Sequence, residues 1–271
     1  SRLCYGSSIL LGARNLISTS VTSPWNYLMA FQFNKSLVWF RRDLRSHDHA
    51  ALFHSLKQSS QCYCCFIFDT TILQHLPADD RRVRFIYQSV MELRTELEAL
   101  GGGLIIRYGD PQTEIPKLVA ELACEAVFIN RDYEPQARVR DSAIETLLKK
   151  TKCQLFSFKD QVIFEQDEVL SLSAKPFSVF TPYKNAWLKK LASEVEGGPD
   201  FYFKPYPVHQ YTKNLASHQD AFVPTLQEMG FQDAETEPKL KGGMKAGAAL
   251  IEDFIDRIDQ YGNTRDFPAV K

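Results

Sequence analysis

Leu37-Val-Trp-Phe40 runs straight into Arg41-Arg-Asp-Leu-Arg-Ser-His-Asp48, an apolar run of strand length followed by a charged loop. Asp48 stands where a carboxylate can accept the orphan N–H groups of a helix predicted from His49 to about Lys57. The same alternation repeats downstream. Tyr63–Phe68 reads as a second strand, and a long helix follows from about Asp80 to Leu100. Its Ile86, Val90, Leu93, Leu97 and Leu100 recur at helical spacing, and Gly101 to Gly103 stop it. Leu104–Tyr108 is strand three, Pro111 to about Cys124 a helix, Ala126–Ile129 strand four, Arg138–Lys150 a helix and Gln154–Phe158 strand five. Five strands with intervening helices predict an α/β fold: a doubly wound, five-stranded parallel, Rossmann-like sheet with its first strand central. Ligands of such sheets bind outside the carboxyl ends of the strands, where strand order reverses. The loops after Phe40, Phe68, Tyr108 and Ile129 are therefore the ones to inspect.

After about Glu165 the alternation stops. Residues 193–243 hold Gly-Gly-Pro and further prolines, as expected of a long connector. An amphipathic helix is predicted over about Ala246–Tyr261, with Leu250, Phe254, Ile255 and Ile258 on one side and nothing further in the sequence to cover them. The expected organisation is an extension outside the fold (1–34, with Met29 as the natural start), an α/β domain (35–165), a connector (166–243) and the start of a helical domain (244–271).

Hydrophobic residues make up 44% and charged residues 24% of the 271-residue chain, enough to bury a core. No apolar run approaches the roughly 20 residues that span a bilayer, so no membrane association is expected. The net charge of −1 excludes a chain that is, as a whole, a basic nucleic-acid clamp. Of the six cysteines, Cys62, Cys64 and Cys65 share one apolar run of strand character and the other three are scattered, which fits buried thiols in a reducing cytoplasm. His47, Asp48, His49 and His54 invite a metal reading, but His49 and His54 fall on different faces of the predicted helix, so no metal is expected.

Arg41, Arg42 and Arg45 sit in the loop at the ligand edge of the sheet. Their guanidinium groups can hold a phosphate or a carboxylated aromatic ligand, or can pair with Asp43, Asp48 or a neighbouring domain and only brace the loop. Asp132 and Glu134, two residues apart after strand four, can present both carboxylates to one crevice, where they would accept ring N–H or hydroxyl groups. The alternative is that they supply charge to the start of the next helix.

Four collinear stretches, Trp39-Phe-Arg-Arg-Asp-Leu-Arg45 with Asp48, Asn130-Arg-Asp-Tyr-Glu-Pro135, Phe177-Ser-Val-Phe-Thr-Pro-Tyr-Lys-Asn-Ala-Trp187 and Arg265-Asp-Phe-Pro-Ala-Val270, resemble the photolyase/cryptochrome family. The resemblance covers about residues 36–271 and is nearest to the bacterial-type photolyases. It implies that this chain is the N-terminal, antenna-binding part of an enzyme that repairs cyclobutane pyrimidine dimers with light. FAD and most of the contact with damaged DNA would lie in a helical domain beyond Lys271, which this part would touch, and the chain alone would be inactive.

The folate-binding type carries an Asn-Glu pair where this sequence has Gln136 and Ala137. The deazaflavin-binding type matches better, through Phe66, Arg82, Asp132 and Glu134. The resemblance therefore implies a deazaflavin or FMN antenna rather than folate. The alternatives are a cryptochrome photoreceptor without repair activity, or an unrelated nucleotide-binding α/β module. The last lacks its phosphate loop, since Gly101-Gly-Gly103 precedes a strand and not a helix.

Overall fold

The first strand, β1 (Phe33–Phe40), starts four residues earlier than the sequence suggests, because Phe33 is itself buried in the core. Leu37 and Trp39 point to one face of the sheet, Val38 and Phe40 to the other, and all four are buried. A strand apolar on both sides belongs in the middle of a parallel sheet. The computed structural model describes residues 31–194, 197–218, 223–232 and 240–267. The stretch before residue 31, with Met29, and residues 268–270 of the fourth motif lie outside the described residues.

The chain continues through α1 (Ala50–Gln58), β2 (Ser59–Asp69), α2 (Thr70–Leu73), α3 (Arg81–Ala99), β3 (Ile105–Gly109), α4 (Pro111–Leu122), β4 (Ala126–Asn130), α5 (Pro135–Lys150) and β5 (Gln154–Phe158). The sheet is five-stranded and all parallel, in the order β3-β2-β1-β4-β5. From β1 the chain first winds outward through β2 and β3, then returns to the other side of β1. The switch point therefore lies between β1 and β4. Leu52, Leu56, Val90, Leu93 and Leu97 of α1 and α3 cover one face. Ile115, Leu118, Ile144 and Leu148 of α4 and α5 cover the other. Each such side chain, fully buried, stabilises the fold by about 1.5–3 kcal/mol.

An aspartate follows most strands and closes the turn into the next element. Asp69 accepts the Thr71 amide, Asp110 the Gln112 amide and Asp132 the Glu134 amide, at 2.9, 2.9 and 3.1 Å. Asp80 does the same for α3 by accepting from Arg82. Asp48 does not play this part for α1. Its backbone is left-handed (φ 44°), and its carboxylate turns away to accept the Tyr206 amide at 2.9 Å. His49 is the cap instead, its Nδ1 accepting from the Leu52 amide at 3.0 Å.

The face of α3 also differs from the expected one. Val83, Val90, Leu93 and Leu97 are buried, while Ile86 and Leu100 are 36% and 40% exposed. The helix ends as the glycines imply: Gly101 takes φ 89°, and the Gly102 amide closes back on the Leu97 carbonyl at 2.8 Å.

Beyond β5 come α6 (Phe180–Leu191), α7 (Gly198–Tyr202) and α8 (Met244–Ile255), followed by a 3-10 turn at Ile258–Gln260 and the short helix α9 (Tyr261–Thr264). The last three occupy the stretch in which the sequence suggests one continuous helix. Segments between α7 and α8 pack on the sheet unit itself: Val208, Leu215, Leu226, Met229 and Phe231 are buried in the core shared with α1 and α3. Among the described residues no helix is long and apolar enough to cross a membrane.

Candidate functional site

At the carboxyl end of the sheet lies a cleft of about 910 Å³, opened by the divergence of the loops after β1 and β4. Of the singled-out residues, Arg41, Arg42, Phe66, Arg82, Asp132 and Glu134 line it, and Arg45 does not. They arrive from the ends of β1, β2 and β4 and from the first turn of α3, which explains how positions almost a hundred residues apart share one wall.

They do not stand alike. Phe66 is buried and packs edge-on against Phe68, with ring centroids 4.9 Å apart, so that it forms part of an apolar floor. Leu73, Val83 and Ile86 continue this floor toward the rim. Asp132 is also buried, with one oxygen held by the Glu134 amide and the other 3.5 Å from Arg42 Nε. Glu134 occupies the cap position of α5 without making a side-chain capping bond, and its carboxylate lies 3.7 Å from Arg42 Nη1. Arg42 thus spans both carboxylates while 61% exposed, at separations too long for tight hydrogen bonds. Arg82 is 73% exposed at the rim and grips Asp80 of its own helix turn.

Arg41, next in sequence to Arg42, is committed to the protein. Its side chain is 8% exposed, donates to Asp141 at 2.6 Å and to the Asn130 carbonyl, and lies over the Trp39 ring. Arg45 likewise braces the loop, bonding the Asp48 carbonyl and Asp160.

Behind the cleft the loop is knotted to the sheet. Asp43 Oδ1 accepts the Arg41 amide at 2.7 Å, and its Oδ2 faces Asn130 Nδ2 at 2.7 Å and His49 Nε2 at 2.9 Å. Because Nδ1 of His49 accepts from Leu52, the ring proton sits on Nε2 and is donated to Asp43. Burial by itself would raise the Asp43 carboxyl, but His49 and the Arg41 amide and charge together hold it well below the ordinary carboxylate value.

Sequence reasoning missed Arg140. It lines the cleft with its side chain 17% exposed, stacks 4.8 Å from the Trp39 ring centroid, bonds Asp141 and lies 3.7 Å from Asp69. The indole is thus in contact with two guanidinium groups, a geometry that fixes its plane. Arg140 lies within a polar helix start, and no periodicity marks it. Asp69 falls one residue past the second strand as read from the sequence, Tyr63–Phe68, and Trp39 was legible as part of the first strand and of the first motif.

The arrangement can hold a planar ligand: an apolar floor, two carboxylates as acceptors at one end, and guanidinium groups at floor and rim. Among known proteins, the model of the DNA photolyase family matches residues 36–200. A deoxyribodipyrimidine photo-lyase of Synechococcus is 33% identical over 244 residues, which are 86% of this chain and 48% of that protein. A class III photolyase of Agrobacterium tumefaciens superposes with a TM-score of 0.69 at 23% identity, over 93% of this chain and 49% of that one. An archaeal photolyase of Sulfolobus tokodaii, solved with two FAD molecules and taken to imply a novel light-harvesting cofactor, superposes with a TM-score of 0.56 at 20% identity, over 82% of this chain and 48% of that one. The chain spans about half the length of these relatives.

Proposed function

The chain belongs to the DNA photolyase family, and from that premise we propose that it is the antenna-binding part of an enzyme that repairs pyrimidine dimers with light. Repair is preferred to photoreception because the Synechococcus relative, at 33% identity, is a photo-lyase. In this reading the α/β unit ends near residue 165 and the segment from 166 to 243 connects it to a helical part that starts near residue 244. A bound antenna would supply absorbed light energy to a reduced FAD held in the half of the protein that this chain does not span. That half also makes most of the contact with damaged DNA. The protein works in the cytoplasm, with its cysteines as thiols.

The antenna is a flavin-class ring, deazaflavin or FMN, and not a folate. The observation that carries this is the meeting of Phe66, Arg42, Asp132 and Glu134 in one cleft at the switch point of the sheet. Phe66 would carry the ring, Asp132 and Glu134 would accept its N–H or hydroxyl groups, and Arg82 would meet a phosphate or a ring carbonyl at the rim. Arg41 fixes Trp39, which lines the cleft from the other face of the sheet. A flavin is also in keeping with the two FAD molecules of the Sulfolobus photolyase.

Titration of FMN by fluorescence quenching tests the assignment. Asp132→Ala removes a charge-assisted acceptor and is expected to weaken binding roughly ten- to a hundred-fold, while Gln136→Ala changes little. Binding of a reduced folate where FMN fails, or equal losses in the two variants, would overturn it. The chain by itself is not expected to repair a thymine dimer under blue light with FAD and a reductant, and repair in that assay would contradict the division of labour.

A further inference from the structure

Helix α8 begins at Gly243, a residue with no side chain to cap it and a backbone (φ 108°) open essentially to glycine alone. Its first amides would be left without partners. The Lys245 amide nevertheless has an acceptor: Glu92 Oε1, from the middle of α3, at 2.9 Å. One turn earlier on α3, Gln88 Oε1 accepts the Gly242 amide at 2.9 Å. One turn later, Glu96 lies 3.8 Å from Lys245 Nζ and also accepts from Ser46 Oγ, in the loop that carries Arg41 and Arg42, at 2.8 Å.

Gly242 is required by the closeness of this approach and Gly243 by its backbone (φ 108°). A Cβ on Gly242 would collide with the Phe85 carbonyl and one on Gly243 with the Glu92 carboxylate. The first two turns of this same α3 supply Arg82, Val83 and Ile86 to the cleft.

We propose that α3 is the member that fixes α8 to the cleft, with Glu92 acting as the N-cap of α8 in trans and Gly242-Gly243 as the joint. A carboxylate there satisfies an orphan donor and faces the positive end of the α8 dipole. The cleft and α8 then form one body. The apolar side of α8, where Leu250, Ile251, Phe254 and Ile255 are 37–64% exposed, is held at a set angle to whatever the cleft binds. This goes beyond the ligand reading and stands without it.

Hydrogen exchange of the whole chain, read by mass spectrometry over residues 245–250, tests the proposal. Loss of an N-cap of ordinary strength corresponds to about fivefold faster exchange, and that is the change expected for Glu92→Ala. Glu92→Gln keeps an oxygen acceptor and is expected to restore most of the protection. Gly243→Ala forces an L side chain onto a φ of 108° and is expected to expose the same amides at least as much. The amides of β1 and β4 should be unchanged in all three variants, showing that the loss is local. Exchange over residues 245–250 within twofold of the parent in Glu92→Ala and Gly243→Ala would overturn the proposal, and so would a Glu92→Gln variant as unprotected as Glu92→Ala.

Discussion

The knot of Asp43, His49 and Asn130 and the trio of Arg42, Asp132 and Glu134 use similar side chains at the ends of the same two strands, β1 and β4. In the knot the polar groups are buried and meet at 2.7–2.9 Å, and the ring proton of His49 has one destination. In the trio, the arginine is 61% exposed and stands 3.5–3.7 Å from its carboxylates. Burial with short contacts leaves nothing to offer a ligand and much to lose on mutation. Exposure with long contacts costs the fold little and leaves donors and acceptors available. The difference separates charges that hold the loop from charges that can act through it.

The sharpest way to break this comparison is Asp43→Ala. It strands three donors in the interior, each costing about 1–3 kcal/mol, so urea denaturation should show a loss above about 3 kcal/mol. A loss below about 1 kcal/mol would put the knot in the same class as the trio.

A part of that effect should appear on acidification. The Asp43 carboxyl is depressed in the folded protein. The stability it contributes is therefore complete above the unfolded value, near about 3.9, and drains as pH falls below it toward the folded value. Stability measured down through this window should fall less steeply in Asp43→Asn than in the parent. Equal slopes would mean that other carboxyls dominate acid unfolding.

The smallest effect is expected at the cleft mouth. Arg42→Gln should change stability by less than about 1 kcal/mol, as exposed pairs do. A loss as large as that of Asp43→Ala would show that the trio braces the loop and has no charge to spare for a ligand.

Much of the fold was legible because its signals are local. The apolar run of β1 and the glycines after α3 each act within a turn or two of chain. The departures came where a local rule met a distant partner. Asp48 looks like a helix cap, but the Tyr206 amide, 158 residues away, claims its carboxylate and His49 takes over the cap. Ile86 fits the apolar period of α3, yet it lies at the rim of the cleft because the core is already filled by Val83 and Val90. Arg140 left no trace in the sequence, since a helical arginine gains its meaning only from the Trp39 ring beneath it.

Sequence alone determined the alternation of strands and helices, the parallel sheet with β1 at its centre, and the loops where a ligand can sit. These follow from periodicity, chain direction and the handedness of crossovers, which every residue in an element helps to state. Only the tertiary structure decided which of two adjacent arginines is free. Arg41 is tied to Asp141 and the Asn130 carbonyl, while Arg42 reaches over Asp132 and Glu134 into the cleft. Neighbours in sequence leave a strand end on opposite sides, and what each meets there is set by residues about ninety to a hundred positions away.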